Sequence, residues 1–428
     1  MSEGAEVWLV RHARTDANAS GIWQGRTDGD VDQVGEGQIS ALATRLVGEH
    51  FDLVLSSPLQ RARKTAAVFG EPVIEEDLIE IDLGRWDGLT ANELIEGSRS
   101  DLDAFARGDE VRLGGSGETP QQIAARIESI IDRIFERLQP FEKAVVVTHG
   151  GVLDAVTVRL FGRDKSGRRL GGLSENTGIT RLIRRMGGNR LVSFNDTGHL
   201  AARPGALTEA LARGRAGLAL VRHGQTRANV ERRWQGQSDW GLDEIGRDQA
   251  AALADWYGPP DRVVSSPLGR ALETAKALTP EPEVIDGLAE LGFGEWEGLT
   301  VEEVRAHDST LFDRIFVDGQ DLQRGISGES WAQLTSRVRA AIDSIHPREG
   351  QLTAVVTHGA AIRSYLADLA GRGWSGTAGL DTPANSSVSH VILGGRSPLI
   401  VDYSSAAHLE SLERRLRGAN PRPSKENE

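Results

Sequence analysis

The sequence predicts an α/β protein made of two tandem copies of one domain, each a mostly parallel sheet with helices on both faces. Three observations lead to this prediction. A segment containing Arg-His occurs at residues 9–18 and again at residues 220–229. Further matching residues lie 209 to 211 positions apart, which is the size of a whole α/β domain. Within the first copy, short apolar runs alternate with helical patterns.

The elements of the first copy follow in order from these patterns. Strands are expected at residues 7–10, 53–55, 72–74, 144–147, 179–184 and 190–194, the last two antiparallel. Helices are expected at residues 37–47 and 60–68, and onward from Thr119 and Val152. The stretch between residue 74 and Thr119 is expected to be rich in loops. The second copy repeats the order.

The helix that follows Thr119 has the clearest signals. Thr119 can cap it, Pro120 suits its first turn and Gln122 completes a capping box. Its apolar stripe consists of Ile123, Ile127, Ile130, Ile134 and Leu138. In the second copy the cap and box are Ser330 and Gln333, and the stripe is Leu334, Val338, Ala341 and Ile345.

The repeat also sets domain boundaries. We expect one domain over residues 1–203, a linker over 204–215, a second domain over 216–412 and a disordered tail over 413–428. The linker contains a helix-prone stretch at residues 207–211 that could pack against either domain.

Composition excludes several classes of protein. The net charge of −13 argues against a nucleic-acid partner, which requires a basic face. The chain has no cysteine, so disulfides, thiolate catalysis and cysteine-bound metals are excluded, and its 10 histidines are the candidates for nucleophile or metal ligand. No stretch is apolar and long enough to cross a bilayer, and residues 1–6 lack the pattern of a secretion signal. We therefore expect a cytoplasmic protein with no membrane partner.

Four segments of each copy carry the residues that could do chemistry. They are the Arg-His segment, Ser-Ser-Pro-Leu-x-Arg-Ala at 56–62 and 265–271, a segment at 78–88 and 288–298 whose two copies share one Glu, two Gly and a Trp, and Val-Val-Thr-His-Gly at 146–150 and 355–359. Taken alone, these segments have ordinary structural explanations, namely a strand-end histidine satisfied by its neighbours, a solvated helical arginine and a tryptophan that packs in the core. Because all four recur in register, a shared site is the better explanation. Gly150 and Gly359 lie where the backbone must closely approach a ligand.

Together these segments give each copy two histidines, two arginines and a glutamate. Strand carboxyl ends and adjoining helix starts meet at one edge of a parallel sheet, so we expect these side chains to converge. Two histidines and a glutamate could also hold a metal, but paired arginines repel a divalent cation, so neither metal nor cofactor is expected. Arginines around a histidine suit a phosphoryl group. The residues are Arg11, His12, Arg61, Glu80 and His149, and Arg222, His223, Arg270, Glu290 and His358.

On these four motifs both copies resemble the histidine phosphatase superfamily, which has the phosphoglycerate mutase-like fold. The resemblance spans nearly the whole chain. It implies that His12 and His223 are nucleophiles that become phosphohistidine, and that Glu80 and Glu290 donate a proton to the leaving oxygen and then activate water. The arginines and the second histidine would hold the phosphoryl oxygens. Implied substrate contacts are Asn18, Gln24, Asn229 and Gln235.

Other polar residues near these motifs are given structural roles. Asn176 and Asn385 are weaker substrate candidates, for which a turn role is equally good. Glu118 and Glu329 directly precede a helix cap, and we expect them to serve the helix N-terminus rather than the chemistry.

The first copy departs from the family pattern at two positions. It has Ala13 where the signature has Gly, and Arg14 where Glu or Gln is usual. Arg14 could favour a more anionic substrate or obstruct the site. Both copies keep every catalytic residue type, so two competent sites are expected.

The resemblance implies a metal-independent phosphomonoesterase acting on a small phosphorylated metabolite of the sugar-phosphate or phosphoglycerate type. Glu80 and His149 are 69 residues apart, and Glu290 and His358 are 68 apart, the compact spacing of the phosphatase branch. Two alternatives stay open: phosphoryl transfer of the phosphoglycerate mutase type, and a regulatory phospho-ligand-binding protein with one silent domain. Nothing in the sequence fixes the oligomeric state or the identity of the substrate.

Overall fold

The computed structural model describes residues 4–162, 169–185, 188–395, 397–410 and 412. The tail predicted at 413–428 lies outside the described residues. Contacts divide the chain into two compact units: Met1–Gly205 with Leu369–Asp381 and Gly394–Tyr403, and Ala206–Asp368 with Thr382–Leu393 and Ser404–Glu428. The boundaries at residues 203 and 216 remain a prediction.

The sheet of the first unit is mostly parallel, as predicted. Its strands are β1 (Glu6–Arg11), β2 (Leu53–Ser56), β3 (Val73–Ile74), β4 (Lys143–Thr148), β5 (Ile179–Arg185) and β6 (Gly188–Asp196). They lie in the order β3-β2-β4-β1-β5-β6, with β1 to β4 parallel and β5 antiparallel to both neighbours. Its helices are α1 (Asp16–Ala19), α2 (Gln33–Arg45), α3 (Gln60–Ala66), α4 (Ala91–Arg107), α5 (Pro120–Glu136) and α6 (Gly150–Phe161).

The second unit repeats this arrangement. Its helices are α7 (Gly205–Ala212), α8 (Arg227–Val230), α9 (Glu244–Tyr257), α10 (Gly269–Leu278), α11 (Val301–His307), α12 (Ser309–Phe316), α13 (Trp331–Ser344) and α14 (Gly359–Leu369). The strands of this part of the chain are β7 (Gly217–Arg222), β8 (Arg262–Ser265), β9 (Glu283–Val284), β10 (Leu352–Thr357), β11 (Val388–Ile392) and β12 (Leu399–Ile400). Within the unit, the order is β11-β7-β10-β8-β9, and β7, β10, β8 and β9 are parallel. Helix α7 occupies most of the predicted linker and buries Leu207 completely.

Strand register places the two histidines of each unit at the same edge. In the first unit, Arg11 at the end of β1 pairs with Thr148 at the end of β4. In the second, Arg222 pairs with Thr357 in the same way. The residue that follows each of these strands is a histidine, so the two histidines of a unit lie next to each other at the same edge of the sheet.

Buried aliphatic residues hold these strands in place. In β4, the run from residue 144 to residue 147 is wholly buried. The stripe predicted for α5 is confirmed, since Ile123, Ile127, Ile130 and Ile134 are buried, and Leu138, which is also buried, lies just beyond the end of the helix. Each such side chain stabilises the folded state by about 1.5 to 3 kcal/mol when it is fully buried. The strands that position the histidines are therefore held by a well-packed core.

One prediction of the secondary structure was wrong. The loop-rich stretch before Thr119 contains the 17-residue helix α4, capped by Thr90 and Glu93 in a capping box. The helix is interrupted at Ser98, where φ is −146°, and Leu94 is its only buried residue. Its large apolar residues leave a gap between Ile95 and Leu102, so they do not form the continuous stripe that predicts a buried helix.

Among the described residues, no helix combines the length and apolar character needed to cross a membrane.

Candidate active site

His12 lies just beyond the end of β1 and is almost fully buried. Its backbone N–H donates to the carbonyl of Thr148 at 2.9 Å, which ties it to β4. Its ring Nδ1 lies 2.7 Å from the carbonyl of Ala13. A carbonyl can only accept, so Nδ1 carries the hydrogen and the lone pair of the neutral ring is on Nε2.

The electrostatic surroundings keep this ring neutral. Burial, and then the charges of Arg11 and Arg61, hold the pKa of His12 well below its ordinary value of 6.5. At neutral pH the ring is therefore uncharged, with the lone pair of Nε2 available.

Two arginines flank the ring and are fixed by backbone carbonyls. Arg61, at the start of α3, is fully buried and donates to the carbonyls of Thr27 at 3.0 Å and Gly25 at 2.8 Å. Arg11 donates to the carbonyl of Ser174 at 2.6 Å. In both guanidinium groups, Nε is buried and has no hydrogen-bond partner in the described part of the chain. Buried donors without a partner are rare in folded proteins, so each of these two N–H groups is available to a further acceptor.

His149 follows β4 and is fully buried beside His12, with the two ring centroids 5.2 Å apart. Its Nε2 lies 2.6 Å from Ser57 Oγ. Its Nδ1 is buried and has no partner among the described residues. Burial, followed by the charges of His12, Arg61 and Arg11, lowers the pKa of His149 well below 6.5, so this ring is also neutral.

Glu80 is the acid of the cluster. Its carboxylate accepts from the N–H of Ile81 at 2.8 Å and the N–H of Gly151 at 3.1 Å. Burial is the largest influence on this carboxyl group and raises its pKa, against the opposing effects of these N–H donors and of Arg61 and Arg11. A carboxyl group with a raised pKa can hold and deliver a proton.

The second unit reproduces this geometry. His223 Nδ1 lies 2.7 Å from the carbonyl of Gly224, and the rings of His223 and His358 have centroids 5.2 Å apart. Arg270 donates to the carbonyls of Gly236 and Ser238 at 2.7 and 2.9 Å. The matching contacts of the remaining residues are His358 Nε2 to Ser266 Oγ at 2.7 Å, Arg222 to the Pro383 carbonyl at 2.5 Å, and Glu290 to the N–H groups of Leu291 and Ala360 at 2.8 and 3.3 Å.

Burial and the charges of Arg222 and Arg270 lower the pKa of His223 well below 6.5. Burial and the nearby Arg270 lower that of His358 in the same direction. Each unit therefore brings together all five residues predicted for its site, although their roles remain predictions.

The residues expected to contact the substrate have defined surroundings in the structure, and that role remains a prediction. Asn18 takes part in a capping box with Thr15, and Thr15 Oγ1 donates to Gln24 at 3.0 Å. Gly150 lies against Arg11, since a Cβ placed there would be 3.3 Å from its Nε. In the second unit, Asn229 forms the matching capping box, Gln235 is buried, and Gly359 begins α14 beside Arg222.

Asn176 is closer to the site than expected. Its side-chain amide donates to the carbonyl of His12 at 2.9 Å and to Asn18 Oδ1 at 3.2 Å. Asn385 makes the equivalent bonds to His223 at 3.0 Å and Asn229 at 3.2 Å. Each therefore joins the end of the first strand to the following short helix.

The two departures of the first copy leave the cluster intact. Arg14 forms an ion pair with Asp32 at 2.8 Å, and Gln225 donates to the matching Asp243 at 3.1 Å. Arg14 thus uses the same partner as its counterpart. Ala13 is fully buried, and its N–H donates to Thr65 as that of Gly224 does to Thr274, at 2.9 and 3.0 Å.

Glu118 has a role that the sequence did not indicate. It was expected to serve the helix N-terminus, but its carboxylate accepts from the N–H of Asp82 at 2.8 Å and from two nitrogens of Arg126 at 2.9 Å each. Glu329 and Arg337 repeat the pair, with Gly292 as the N–H donor. The sequence holds one signal of this ion pair, because the glutamate and the arginine recur in the second copy at the same spacing.

No group of three or more His, Cys, Asp or Glu side chains within the described ranges is arranged to hold a metal ion.

Comparison with known proteins gives a consistent result. A bifunctional protein of Mycobacterium tuberculosis, Rv2228c, is 40% identical over 157 residues, which cover 35% of this chain and 43% of that protein. The match therefore spans less than half of that relative. A metal-independent phosphoserine phosphatase of Arabidopsis thaliana is 36% identical over 177 residues, covering 40% of this chain and 74% of that protein.

Among solved structures, phosphoserine phosphatase from Entamoeba histolytica in complex with 3-phosphoglyceric acid aligns with a TM-score of 0.41 and 30% identity. The alignment covers 46% of this chain and 99% of that one.

The model of the family described as "Histidine phosphatase superfamily (branch 1)" matches residues 7–197 and again residues 218–405. The protein therefore belongs to the histidine phosphatase superfamily and contains two of its domains in tandem.

Proposed function

We propose that the protein is a phosphoric monoester hydrolase that acts at two sites on a small phosphorylated metabolite, of the sugar-phosphate or phosphoglycerate type, without a metal or cofactor. One observation carries this proposal. In each unit, a neutral histidine whose Nδ1 donates to a backbone carbonyl is under the influence of two arginines, one of which is fully buried. The phosphatase names of relatives, one of them acting on phosphoserine, support the class of substrate.

In the first step, Nε2 of His12 attacks phosphorus and the bond from phosphorus to the leaving oxygen breaks. Glu80, a carboxyl group whose pKa is raised by burial, transfers a proton to that oxygen, and the alcohol departs. Arg11, Arg61 and His149 stabilise the charge on the three remaining oxygens, so fixed donors lower the barrier.

In the second step, the carboxylate of Glu80 takes a proton from water as the water oxygen attacks phosphorus. The bond from phosphorus to Nε2 breaks, inorganic phosphate is released, and His12 and Glu80 return to their starting states. His223, Glu290, Arg222, Arg270 and His358 take the same parts in the second unit.

Hydrolysis of an aryl phosphate in the presence of a chelator tests this proposal. We expect His12→Ala and His223→Ala each to remove the contribution of one site, and the double variant to lose activity by at least about a thousandfold. His50→Ala is the matched control, since that ring is largely exposed. Full activity in the double variant, or activity that requires a divalent metal, would contradict the mechanism.

A further inference from the structure

In each site, a serine hydroxyl contacts Nε2 of the second histidine, which is the ring nitrogen opposite Nδ1. Ser57 Oγ lies 2.6 Å from Nε2 of His149, and Ser266 Oγ lies 2.7 Å from Nε2 of His358. All four side chains are fully buried. In both rings, Nδ1 is buried without a partner in the part of the chain that the structure describes.

The direction of this hydrogen bond follows from what surrounds the serine. The backbone N–H of Leu59 points to Ser57 Oγ at 3.3 Å, so the oxygen already accepts one hydrogen bond. Leu268 does the same for Ser266 at 3.3 Å. The serine has one hydrogen to donate, and among the described residues Nε2 of the histidine is the acceptor that it reaches. The hydroxyl therefore donates and Nε2 accepts.

An Nε2 that accepts is deprotonated, so the hydrogen of the neutral ring must be on Nδ1. We propose that Ser57 and Ser266 fix His149 and His358 as the Nδ1–H tautomer, which makes each ring an uncharged hydrogen-bond donor to the phosphoryl group. This inference rests on the proposed function for the identity of the ligand, whereas the tautomer itself does not depend on it.

The opposite tautomer would work against anion binding. With the hydrogen on Nε2, the buried Nδ1 would carry a lone pair and would have no hydrogen to donate to a phosphoryl oxygen. Two lone pairs would then face each other in a buried site, and the serine hydrogen would lose its acceptor. Ser57 is fully enclosed, so it acts through His149 and is a positioning residue.

The tautomer can be observed directly by nitrogen NMR of the full-length protein with ¹⁵N-labelled histidine. The signals of His149 and His358 are assigned by their disappearance in His149→Gln and His358→Gln. We expect, without any ligand and at neutral pH, a protonated Nδ1 and an unprotonated Nε2 in both rings. A protonated Nε2 in the wild-type protein would overturn the inference, whatever the catalytic activity.

Activity measurements then test the role of the serine. In a His223→Ala background, where the first site alone turns over, we expect Ser57→Ala to lower kcat/KM for an aryl phosphate about tenfold, the usual effect of one lost hydrogen bond. Inhibition by inorganic phosphate should weaken in parallel, and the NMR signals of His149 should show a mixture of tautomers. The control is Ser56→Ala, since Ser56 is equally buried but donates to the carbonyl of Ser57 at 2.9 Å.

The outcomes separate the two proposals. A wild-type protein that has the Nδ1–H tautomer but hydrolyses no phosphate ester would overturn the proposed function and leave the tautomer assignment standing. Ser57→Ala that is folded, as active as Ser56→Ala and unchanged in the His149 signals would overturn the inference and leave the proposed function standing. If Ser57→Ala does not fold, the wild-type spectrum decides.

Discussion

Arg126 forms a two-pronged ion pair with Glu118, and the same guanidinium donates to the carbonyls of Asp77 and Ile79 at 2.8 and 2.9 Å. Glu118 in turn accepts from the N–H of Asp82 at 2.8 Å. The pair therefore makes hydrogen bonds to the backbone on both sides of Glu80, before it at Asp77 and Ile79 and after it at Asp82. Burial of such a pair adds little net stability, but it fixes the position of the proposed acid.

We expect Arg126→Lys to lower kcat of the first site by about 10- to 100-fold with little change in KM, because a lysine cannot form the planar fork and Glu80 would be displaced. The measurement is steady-state hydrolysis in the His223→Ala background. Arg133→Lys is the matched control, since Arg133 lies on the same helix and forms a partly exposed ion pair with Asp77 at 2.5 Å. Equal behaviour of the two variants, or a change confined to KM, would show that Arg126 does not position Glu80.

Gly224 and Ala13 occupy matching positions with different space around them. A Cβ at Gly224 would lie 2.5 Å from the backbone oxygen of Gly246, whereas the Cβ of Ala13 is accommodated. We expect Gly224→Ala to lower the free energy of unfolding by about 1 to 3 kcal/mol through overpacking, and Ala13→Gly to lower it by about 1 kcal/mol. Urea denaturation of both variants measures the difference. A neutral Gly224→Ala would mean that α9 shifts freely away from the site.

The sequence contained enough to predict the sheet and the cluster of five residues in each unit. Strand ends that terminate in His, the helix start with Arg and the recurring Glu all depend on local patterns, and repetition in register made them reliable. Family membership confirms the resemblance on which the predicted roles were based. The fold and the cluster could be predicted because each residue of the cluster lies at or near the end of a strand or the start of a helix, and the local sequence indicates those elements.

What the sequence could not provide depends on contacts between distant segments. Arg126 lies 46 residues beyond Glu80, and nothing in a helical stripe indicates that its guanidinium reaches backbone carbonyls. The bond between Asn176 and the carbonyl of His12 is a similar case. Helix α4 was missed for another reason, since it buries little and its period is broken at Ser98.

Stability should fall as the solution becomes acidic. In the folded protein, the pKa values of His12, His149, His223 and His358 are well below 6.5, in each case mainly because of burial. Below about pH 6.5 the unfolded chain binds protons that the folded chain does not, so each ring lowers the free energy of unfolding by up to about 1.4 kcal/mol per pH unit. Glu80, whose pKa is raised, has the opposite effect on the free energy of unfolding, but it is a single group against four histidines.

Urea denaturation between pH 7.5 and 5.5 measures this dependence. His12→Gln should show a shallower loss than the wild-type protein, because one of the depressed groups is absent. His50→Gln, which replaces an exposed ring, should leave the slope unchanged. A free energy of unfolding that is constant over this range would show that the buried rings bind protons as readily as exposed ones.

Glu80 should be required in proportion to how poor the leaving group is. Its raised pKa allows it to protonate an alkoxide, which an alkyl phosphate needs, whereas an aryl oxide leaves without much assistance. In the His223→Ala background, we expect Glu80→Gln to lower kcat/KM for an alkyl phosphate by about 10² to 10⁴ and for an activated aryl phosphate by much less. Since kcat/KM reports the steps through the first phosphoryl transfer, the later attack by water does not obscure the comparison.

The pH dependence of the same parameter gives a second reading. In the His223→Ala background, the value with Glu80 in place should decline as pH rises through the pKa of Glu80, and it should persist below pH 6.5 because His12 stays neutral there. Glu80→Gln should lose the decline on the alkaline side. Equal losses for the alkyl and aryl phosphates would mean that Glu80 does not donate the proton, and that another group of the site, or water, protonates the leaving oxygen.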